Sequence, residues 1–411
     1  MSSARTCVIT GVGVLSPLGR GFDATRDALA AGRSGIAPIR AFDAAGFPVL
    51  CTGEVTDASI PRGSARQAAM ADIALAEALA HARLEVPAAA DSRRAVSFAF
   101  GKPTVDLELL SATAPAWRAA CDPDLLPRQV PALEAARAKA DPAALLRRLG
   151  VAVSAGGPMY SSYTACASGN DALGLGKRLI ERGEADVVIA GATDAQVHPL
   201  SLIEFELLSA LSHEPAPTAC RPFDRQRTGF VVGEGAAALV LESAQHARAR
   251  GAQPLARIAG YGSSLDCFGL TKCHPQGRGA AQAIRAALAD AGVLPAQIEY
   301  VNAHGTGTVL NDQSEAAALH AVWGEAVARL PVSSTKAMTG HLLTAASAIE
   351  AVITLAALRD GLLPPNLNFE HPDPECRLNL VTAPRRRAPL AYAMSNGFGF
   401  GGQNSSLILA A

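Results

Sequence analysis

The sequence carries little charge of either sign and few aromatic residues. Only 18% of its 411 residues are Asp, Glu, Lys or Arg, and aromatic residues make up 5%. Its 36 basic and 37 acidic side chains leave a formal net charge of −1, which excludes recognition of nucleic acid or anionic lipid by overall charge. Because 49% of the residues are hydrophobic, the chain can form a large core and buried subunit contacts, and we expect an oligomer.

From its patterns we expect no membrane-spanning run, no signal peptide and no disulfide framework in this chain. Its longest nearly apolar stretch, residues 342–358, contains Glu350 and is shorter than a bilayer span. Two glycines and a proline interrupt the first apolar run, unlike the core of a signal peptide. Eight cysteines are scattered from Cys7 to Cys376 in a long chain, so the sequence predicts reduced thiols and a cytoplasmic location.

Short Val/Ile-rich runs alternate with longer Ala/Leu-rich amphipathic stretches along the chain. This alternation predicts an α/β fold in which helices cover a mostly parallel sheet. The predicted strands are residues 6–10, 95–100, 186–190, 236–241, 256–260, 300–303 and 407–409. The clearest predicted helices are residues 65–82, 167–181, 279–291 and 343–359. Residues 114–148 are charged, Ala-rich and punctuated by prolines, which indicates a peripheral helical segment.

The first chemically informative motif is TACASG, which contains Cys166. Small residues surround this cysteine, and a helical pattern begins immediately after it. A sulfur at the start of a helix meets free N–H groups and a favourable dipole, which lower the pKa of a thiol. The sequence therefore predicts a thiolate nucleophile, although a lone cysteine is also compatible with a small buried core residue. Cys267 and Cys273 have a spacing unlike zinc motifs, and we predict no metal site.

Two further motifs place histidines in polar, glycine-containing segments. In AHGTGT, His304 follows a predicted strand and precedes Thr306 and Thr308; such a histidine faces either a cleft or a structural turn. In STKAMTGH, Lys336 and His341 precede the apolar helix. A nearby cation disfavours the imidazolium, so His341 is expected to stay neutral and to donate one N–H to an acyl oxygen.

The chain ends with GFGFGG, in which Phe398 and Phe400 alternate with glycines. The motif leads into a strand near the C-terminus with no following βαβ unit, so it fails as a dinucleotide-binding fingerprint. Glycines such as Gly399 allow the backbone to approach a ligand closely, and an aromatic ring on a flexible hinge can act as a lid.

Taken in order, these motifs resemble the β-ketoacyl synthases of the thiolase-like condensing-enzyme superfamily. The resemblance extends over nearly the whole chain, from VITGVGVLSPLG through TACASG, CRPFDRQRTGFVVGEGAAALVLE, AHGTGT and STKAMTGH to GFGFGG. It implies a five-layer α/β/α/β/α sandwich of two similar halves, usually assembled as a dimer. Residues 1–250 would carry the nucleophilic cysteine, and residues 251–411 would carry the two histidines, the lysine and the Gly/Phe loop.

The resemblance also implies a role for each matching residue. Cys166 would accept the acyl group from an acyl carrier protein, and the main-chain amides of Cys166 and Phe400 would form the oxyanion hole. The set of catalytic residues would be completed by His304 and His341, which assist malonyl decarboxylation, by Lys336, which tunes the histidines, and by Phe400, the gate of the acyl pocket. The substrate-binding residues would be Thr306, Thr308, Phe398 and Gly399, the two threonines contacting phosphopantetheine. No cofactor bound by the enzyme is implied.

The motif details favour an elongating enzyme. Starter-type synthases resemble a Cys/His/Asn set, whereas this chain has two histidines with its cysteine. Gly307 stands where housekeeping fatty-acid synthases usually have Ser, which favours a polyketide-type enzyme. Two alternatives are a thiolase, which would need a second cysteine as base near the C-terminus, and a non-elongating partner of the chain-length-factor type. The predicted partners are an acyl carrier protein and a second ketosynthase-like subunit, identical or homologous.

Overall fold

Twelve of the described strands pair into one long mixed sheet in the computed structural model, which describes residues 5–104 and 141–411. The sheet order is β13-β11-β10-β15-β16-β9-β1-β8-β7-β5-β6, and β2 pairs with β1. Two separate pairs are β3 with β4 and β12 with β14. The strand bounds are β1 Cys7–Ser16, β2 Gly19–Arg20, β3 Ile36–Pro38, β4 Cys51–Gly53, β5 Arg94–Phe100, β6 Met159–Tyr160, β7 Val187–Ala195, β8 Glu234–Ser243, β9 Ala256–Leu265, β10 Tyr300–Asn302, β11 Pro331–Ser333, β12 Leu362–Leu363, β13 Asn379–Leu380, β14 Arg385–Arg386, β15 Tyr392–Gly399 and β16 Gln403–Ala410.

The sheet consists of two runs of strands with the same pairing pattern. From β1 the partners β8, β7, β5 and β6 are joined by two antiparallel and then two parallel pairings. From β9 the partners β16, β15, β10 and β11 follow the same sequence of two antiparallel and two parallel pairings. The runs meet where β1 pairs with β9 over two residues only. The repeated pattern supports two similar halves, while their division at residue 250 stays a prediction.

The α-helices lie on both sides of each run and between the runs. Helices α4 and α10 contact each other and strands of both runs, so they form the central layer. Helices α2 and α3 cover the β1 run, and α7 covers the β9 run, with α8 packed on α7 and sharing its core cluster, which gives the five layers that we predicted. The helix bounds are α1 Phe22–Ala30, α2 Arg66–Ala82, α3 Pro142–Ala152, α4 Ser168–Glu181, α5 Pro199–Leu207, α6 Ala244–Ala249, α7 Arg278–Ala291, α8 Val309–Trp323, α9 Lys336–Thr339 and α10 Ala346–Asp360.

Small residues let the central helices approach each other closely. A Cβ at Gly169 of α4 would lie 2.2 Å from the main-chain nitrogen of Ala348 in α10, so no side chain fits between the two backbones. The Asn170 N–H donates to Ser347 Oγ across the same contact. Because α4 follows the nucleophile candidate and α10 follows His341, this crossing holds two site segments together.

The seven predicted strands and four predicted helices are confirmed, with shifted ends. The largest difference is β1, predicted over residues 6–10, which continues to Ser16. Gly11 and Gly13, read as interruptions, pack under α2, where a Cβ at Gly13 would lie 1.9 Å from the carbonyl oxygen of Ala74. The segment 114–148 lies outside the described residues except for its last part, where Asp141 caps α3. Among the described helices, none is both long and apolar enough to cross a membrane.

Candidate active site

The turn before α4 presents Cys166 at the interface between the two runs of strands. Cys166 lies in a 3₁₀ turn, Ala165–Ala167, and Ala165 adopts a left-handed backbone with φ of +49°. The Thr164 N–H donates to Ser168 Oγ at 2.8 Å, and Ser168 Oγ donates to the Ala165 carbonyl at 2.6 Å. These hydrogen bonds hold the sharp turn that separates the nucleophile from the helix.

The structure brings together the three groups that the motifs singled out. The Cys166 sulfur lies 3.0 Å from His341 Nε2, although the two residues are 175 positions apart in the chain. The rings of His304 and His341 are edge to face, with centroids 5.3 Å apart. One ligand-type atom from each of the three residues lies within 4.8 Å of the others, and all three side chains are buried. A single substrate carbonyl can therefore contact all of them.

A main-chain hydrogen bond selects the tautomer of His341. The Leu343 N–H donates to His341 Nδ1 at 3.2 Å. A neutral imidazole whose Nδ1 accepts a hydrogen bond carries its proton on Nε2. The Nε2–H of His341 consequently points at the Cys166 sulfur as a donor, which suits stabilisation of negative charge and not removal of the thiol proton.

The buried carboxylate of Glu315 fixes the main chain at His304. Glu315 accepts hydrogen bonds from the main-chain N–H groups of His304, at 2.9 Å, and Gly305, at 2.7 Å. The Asn396 side chain donates to the same carboxylate at 3.1 Å. The ring of Phe398 packs edge to face against His304, with centroids 5.9 Å apart. His304 follows β10 at the strand-to-loop position that we expected, and its buried ring lies beside that of His341.

Lys336 is a fully buried cation at the start of the short helix α9. Its ammonium group forms an ion pair with Glu350 of α10, whose pKa burial raises to about 7. Burial, followed by the Lys336 charge, lowers the pKa of His304 and His341 well below the usual histidine value. Both rings are therefore neutral at physiological pH, as we predicted for His341 beside a cation.

The resting state of Cys166 differs from the sequence-based prediction of a thiolate. Burial raises the pKa of the Cys166 thiol to about 12, outweighing the opposing effects of Lys336 and of the Phe400 main-chain N–H. Desolvation of the charged sulfur dominates because the thiol is enclosed by protein and the helix begins only after the 3₁₀ turn. In the unliganded protein Cys166 is a thiol.

The Gly/Phe loop packs directly against the nucleophile. A Cβ at Gly399 would lie 3.0 Å from the Cys166 main-chain nitrogen, so a glycine is needed for this close approach. The next residue, Phe400, directs its N–H at the Cys166 sulfur. Its half-buried ring packs against the apolar cluster that contains Phe230 and Leu343. The structure thus places two main-chain amides, of Cys166 and Phe400, beside the sulfur.

Thr306 and Thr308 lie on one loop next to His304. Their hydroxyl oxygens are 2.9 Å apart, and Thr308 is only partly buried. Asp312 accepts a hydrogen bond from the Gly307 N–H at 3.2 Å and so fixes the turn between them. Gly307 has φ of +82°, a left-handed conformation that favours glycine.

Sequence reasoning assigned no role at the site to three buried carboxylates, on Glu350, Glu315 and Asp194. Glu350 had a detectable signal, because a charged residue in the middle of an apolar helix needs a buried partner. Glu315 and Asp194 had none, because their partners are mostly main-chain N–H groups that only the fold brings together.

Cys166, His304 and His341 are also the side chains of the site that could hold a metal ion. Zinc prefers cysteine sulfur and histidine nitrogen, and Cys166, His304 and His341 offer one such atom each. A metal ion on these donors would take the position of the substrate carbonyl and would block the nucleophile.

Cys376 is the residue that a thiolase would need as its second base. It contacts Asp373 and lies in the core cluster that includes Val301 of β10, away from Cys166.

Comparison with known proteins agrees with this geometry. The sequence model of the β-ketoacyl synthase N-terminal domain matches residues 4–247, and that of the C-terminal domain matches residues 255–370. The chain is 36% identical over 420 residues to 3-oxoacyl-[acyl-carrier-protein] synthase 2 of Staphylococcus aureus (strain COL), covering 99% of both chains. It is also 36% identical to the enzyme of that name from Coxiella burnetii, covering 99% of this chain and 98% of the other.

Solved structures give the same result. A type II polyketide ketosynthase, solved in complex with its acyl carrier protein and bound to a hexaketide, superposes with a TM-score of 0.89, 31% identity and full coverage of both chains. The ishigamide ketosynthase/chain length factor superposes with a TM-score of 0.87, 32% identity and full coverage of both chains. With the family models, the full-length relatives and the fold in agreement, the chain belongs to the β-ketoacyl synthase family.

Proposed function

We propose that this enzyme takes an acyl group onto Cys166 and condenses it with malonyl-acyl carrier protein, giving 3-ketoacyl-acyl carrier protein and CO₂. The observation that carries the proposal is the contact of the Cys166 sulfur with His341 Nε2 at 3.0 Å, with the neutral ring of His304 alongside. An intact nucleophile with two neutral histidines favours turnover over the role of a non-elongating partner subunit.

Acyl transfer is the first step. The Cys166 sulfur attacks the acyl thioester carbonyl, the bond from that carbonyl to the carrier sulfur breaks, and the proton lost by Cys166 ends on the departing carrier thiol. The Nε2–H of His341 and the charge of Lys336 stabilise the sulfur anion while it forms. The amides of Cys166 and Phe400 receive the oxyanion.

Decarboxylation and condensation follow at the same place. The bond between the malonyl carboxylate and its methylene carbon breaks, CO₂ leaves, and the electron pair forms an enolate whose oxygen is stabilised by His304 and His341. The enolate carbon attacks the acyl-cysteine carbonyl, and collapse of that intermediate expels the Cys166 thiolate. Loss of CO₂ makes the carbanion without a strong base. The expelled Cys166 thiolate then takes one proton from solvent and returns to its resting thiol, so each turnover consumes one proton.

The substrate arm and the partners are part of the proposal. Thr306 and Thr308 bind the phosphopantetheine of the carrier, Phe398 and Gly399 line the path to Cys166, and Phe400 gates the acyl pocket. The functional assembly contains a second ketosynthase-like subunit and works in the cytoplasm. Structures solved as a carrier-protein complex and as a ketosynthase/chain length factor support these partners. Gly307 and the similarity to a type II polyketide ketosynthase favour a polyketide-type chain as product.

The experiment measures CO₂ release and 3-ketoacyl product from acyl- and malonyl-loaded carrier protein over a range of acyl lengths. The purified enzyme should form both products, and Cys166→Ala, His304→Ala and His341→Ala should each lose condensation by more than about 100-fold. Cys376→Ala is the matched control, because this buried cysteine lies outside the site, and it should retain activity. Condensation of acetyl-CoA alone, with loss of activity in Cys376→Ala, would instead establish a thiolase.

A further inference from the structure

A buried carboxylate on β7 contacts the turn that follows His341. Asp194 is 1% exposed, and its Oδ2 accepts a hydrogen bond from the Thr344 N–H at 3.0 Å. Its Oδ1 accepts from the Ala195 N–H and from Gln196 Nε2, both at 2.9 Å. A Cβ at Gly101 would lie 2.0 Å from Oδ1, so the carboxylate is enclosed on that side as well.

The turn held by Asp194 is conformationally strained. Leu343 has φ of +51°, a left-handed conformation that is unfavourable for a branched side chain. The N–H of this same residue donates to His341 Nδ1 and so selects the Nε2–H tautomer that faces Cys166. Because Thr344 directly follows Leu343, the hydrogen bond from the Thr344 N–H to Asp194 stabilises the strained turn on the C-terminal side of Leu343.

The groups around Asp194 require both of its oxygens to accept hydrogen bonds. The groups that contact it all donate: the N–H groups of Thr344 and Ala195, the Gln196 amide and the Thr344 hydroxyl. An amide at this position would direct its NH₂ at one or two of these donors and leave a buried N–H unsatisfied. Burial raises the pKa of Asp194 to about 6, so the side chain is a carboxylate at neutral pH.

We propose that Asp194 is a positioning residue for the condensation: it fixes the turn at Leu343 and Thr344 and thereby the tautomer and direction of His341. Asp194 does not touch the reacting atoms. This role rests on the role proposed above for His341. Asp194, the strained turn at Leu343 and the His341 ring together hold the Nε2–H at the Cys166 sulfur.

The test compares the wild-type enzyme with Asp194→Asn. We expect the variant to lose about ten-fold or more in kcat, with KM for the carrier-bound substrates changed by less than about two-fold. Alkylation of Cys166 by iodoacetamide, which needs no substrate, should also slow, even though the Asp194 charge raises the pKa of the Cys166 thiol and its loss would by itself favour alkylation. In ¹⁵N-histidine-labelled protein, the wild-type His341 should show an unprotonated Nδ1, and this signature should weaken in Asp194→Asn.

Glu242→Gln is the matched control. Glu242 is also a fully buried carboxylate, and it accepts hydrogen bonds from Thr10, His246 and Arg250. Its substitution should lower the unfolding temperature without changing kcat or the alkylation rate. Wild-type kcat and alkylation in Asp194→Asn, an equal loss in Glu242→Gln, or an Nδ1–H tautomer of His341 in the wild type would each overturn the proposal. Normal alkylation and tautomer results in an enzyme that condenses nothing would instead reject the proposed function.

Discussion

At the scale of single residues, the site depends on charged groups that the protein has removed from water. Lys336 and Glu350 are both essentially unexposed and form an ion pair. Removing one member of such a pair leaves a buried, uncompensated charge, which costs far more than the pair itself contributes. Burial first, and then the charge of the lysine held in this pair, lowers the pKa of both histidines, and the same charge opposes the burial that raises the pKa of the Cys166 thiol.

Lys336→Met should therefore destabilise the protein strongly. We expect the free energy of unfolding to fall by about 3–5 kcal/mol, because Glu350 would lose the buried cation with which it is paired in an apolar helix. Denaturant unfolding measures this change. In Lys336→Met/Glu350→Leu most of the stability should return, while condensation should stay impaired. An unchanged stability in Lys336→Met would show that the two side chains are not paired.

The residues of the site were partly predictable from the sequence. Local patterns singled out Cys166, His304, Lys336 and His341, because small or glycine-rich neighbours and strand-to-loop positions are visible in a single sequence. The protonation state of the sulfur was not visible. It depends on burial by distant segments, and burial outweighs the local effect of the helix start.

At the scale of elements, the crossing of α4 and α10 sets the distance between nucleophile and histidine. Cys166 precedes α4, and His341 precedes α10 by five residues. The crossing leaves no room for a larger side chain at Gly169, because Gly169 and Ala348 bring the two backbones together without an intervening side chain.

Gly169→Ala should consequently separate the two helices. Although alanine favours helix more than glycine does, the added methyl must displace backbone atoms of α10. We expect a loss of about 1–3 kcal/mol in the free energy of unfolding and about ten-fold or more in the rate of Cys166 alkylation. Both are measured on the free enzyme, by denaturant unfolding and by timed labelling with iodoacetamide.

Gly176→Ala in the same helix provides the control for this prediction. A Cβ at Gly176 would lie 2.8 Å from a terminal methyl of Leu241, which can move aside. This variant should keep the alkylation rate. Equal effects of the two substitutions would contradict a specific role for the crossing.

At the scale of the whole molecule, alternation of strand and helix patterns indicates an α/β fold, but not how the strands are ordered. The β1–β9 junction and the repeated pairing pattern join segments hundreds of residues apart, and no local periodicity encodes them. The layered architecture was predicted through the family resemblance of the motifs. Likewise, the contact of Cys166 with His341 spans 175 positions and exists only in the assembled fold.

The most direct test follows the acyl group itself. The enzyme is incubated with acyl-loaded carrier protein, digested and analysed by peptide mass spectrometry, with and without a later addition of malonyl-loaded carrier protein. The account predicts an acyl adduct on Cys166 alone among the eight cysteines, which disappears on addition of the malonyl substrate as the 3-ketoacyl product forms. An adduct on another residue, no adduct at all, or an adduct on Cys166 that persists in the presence of malonyl substrate would contradict it.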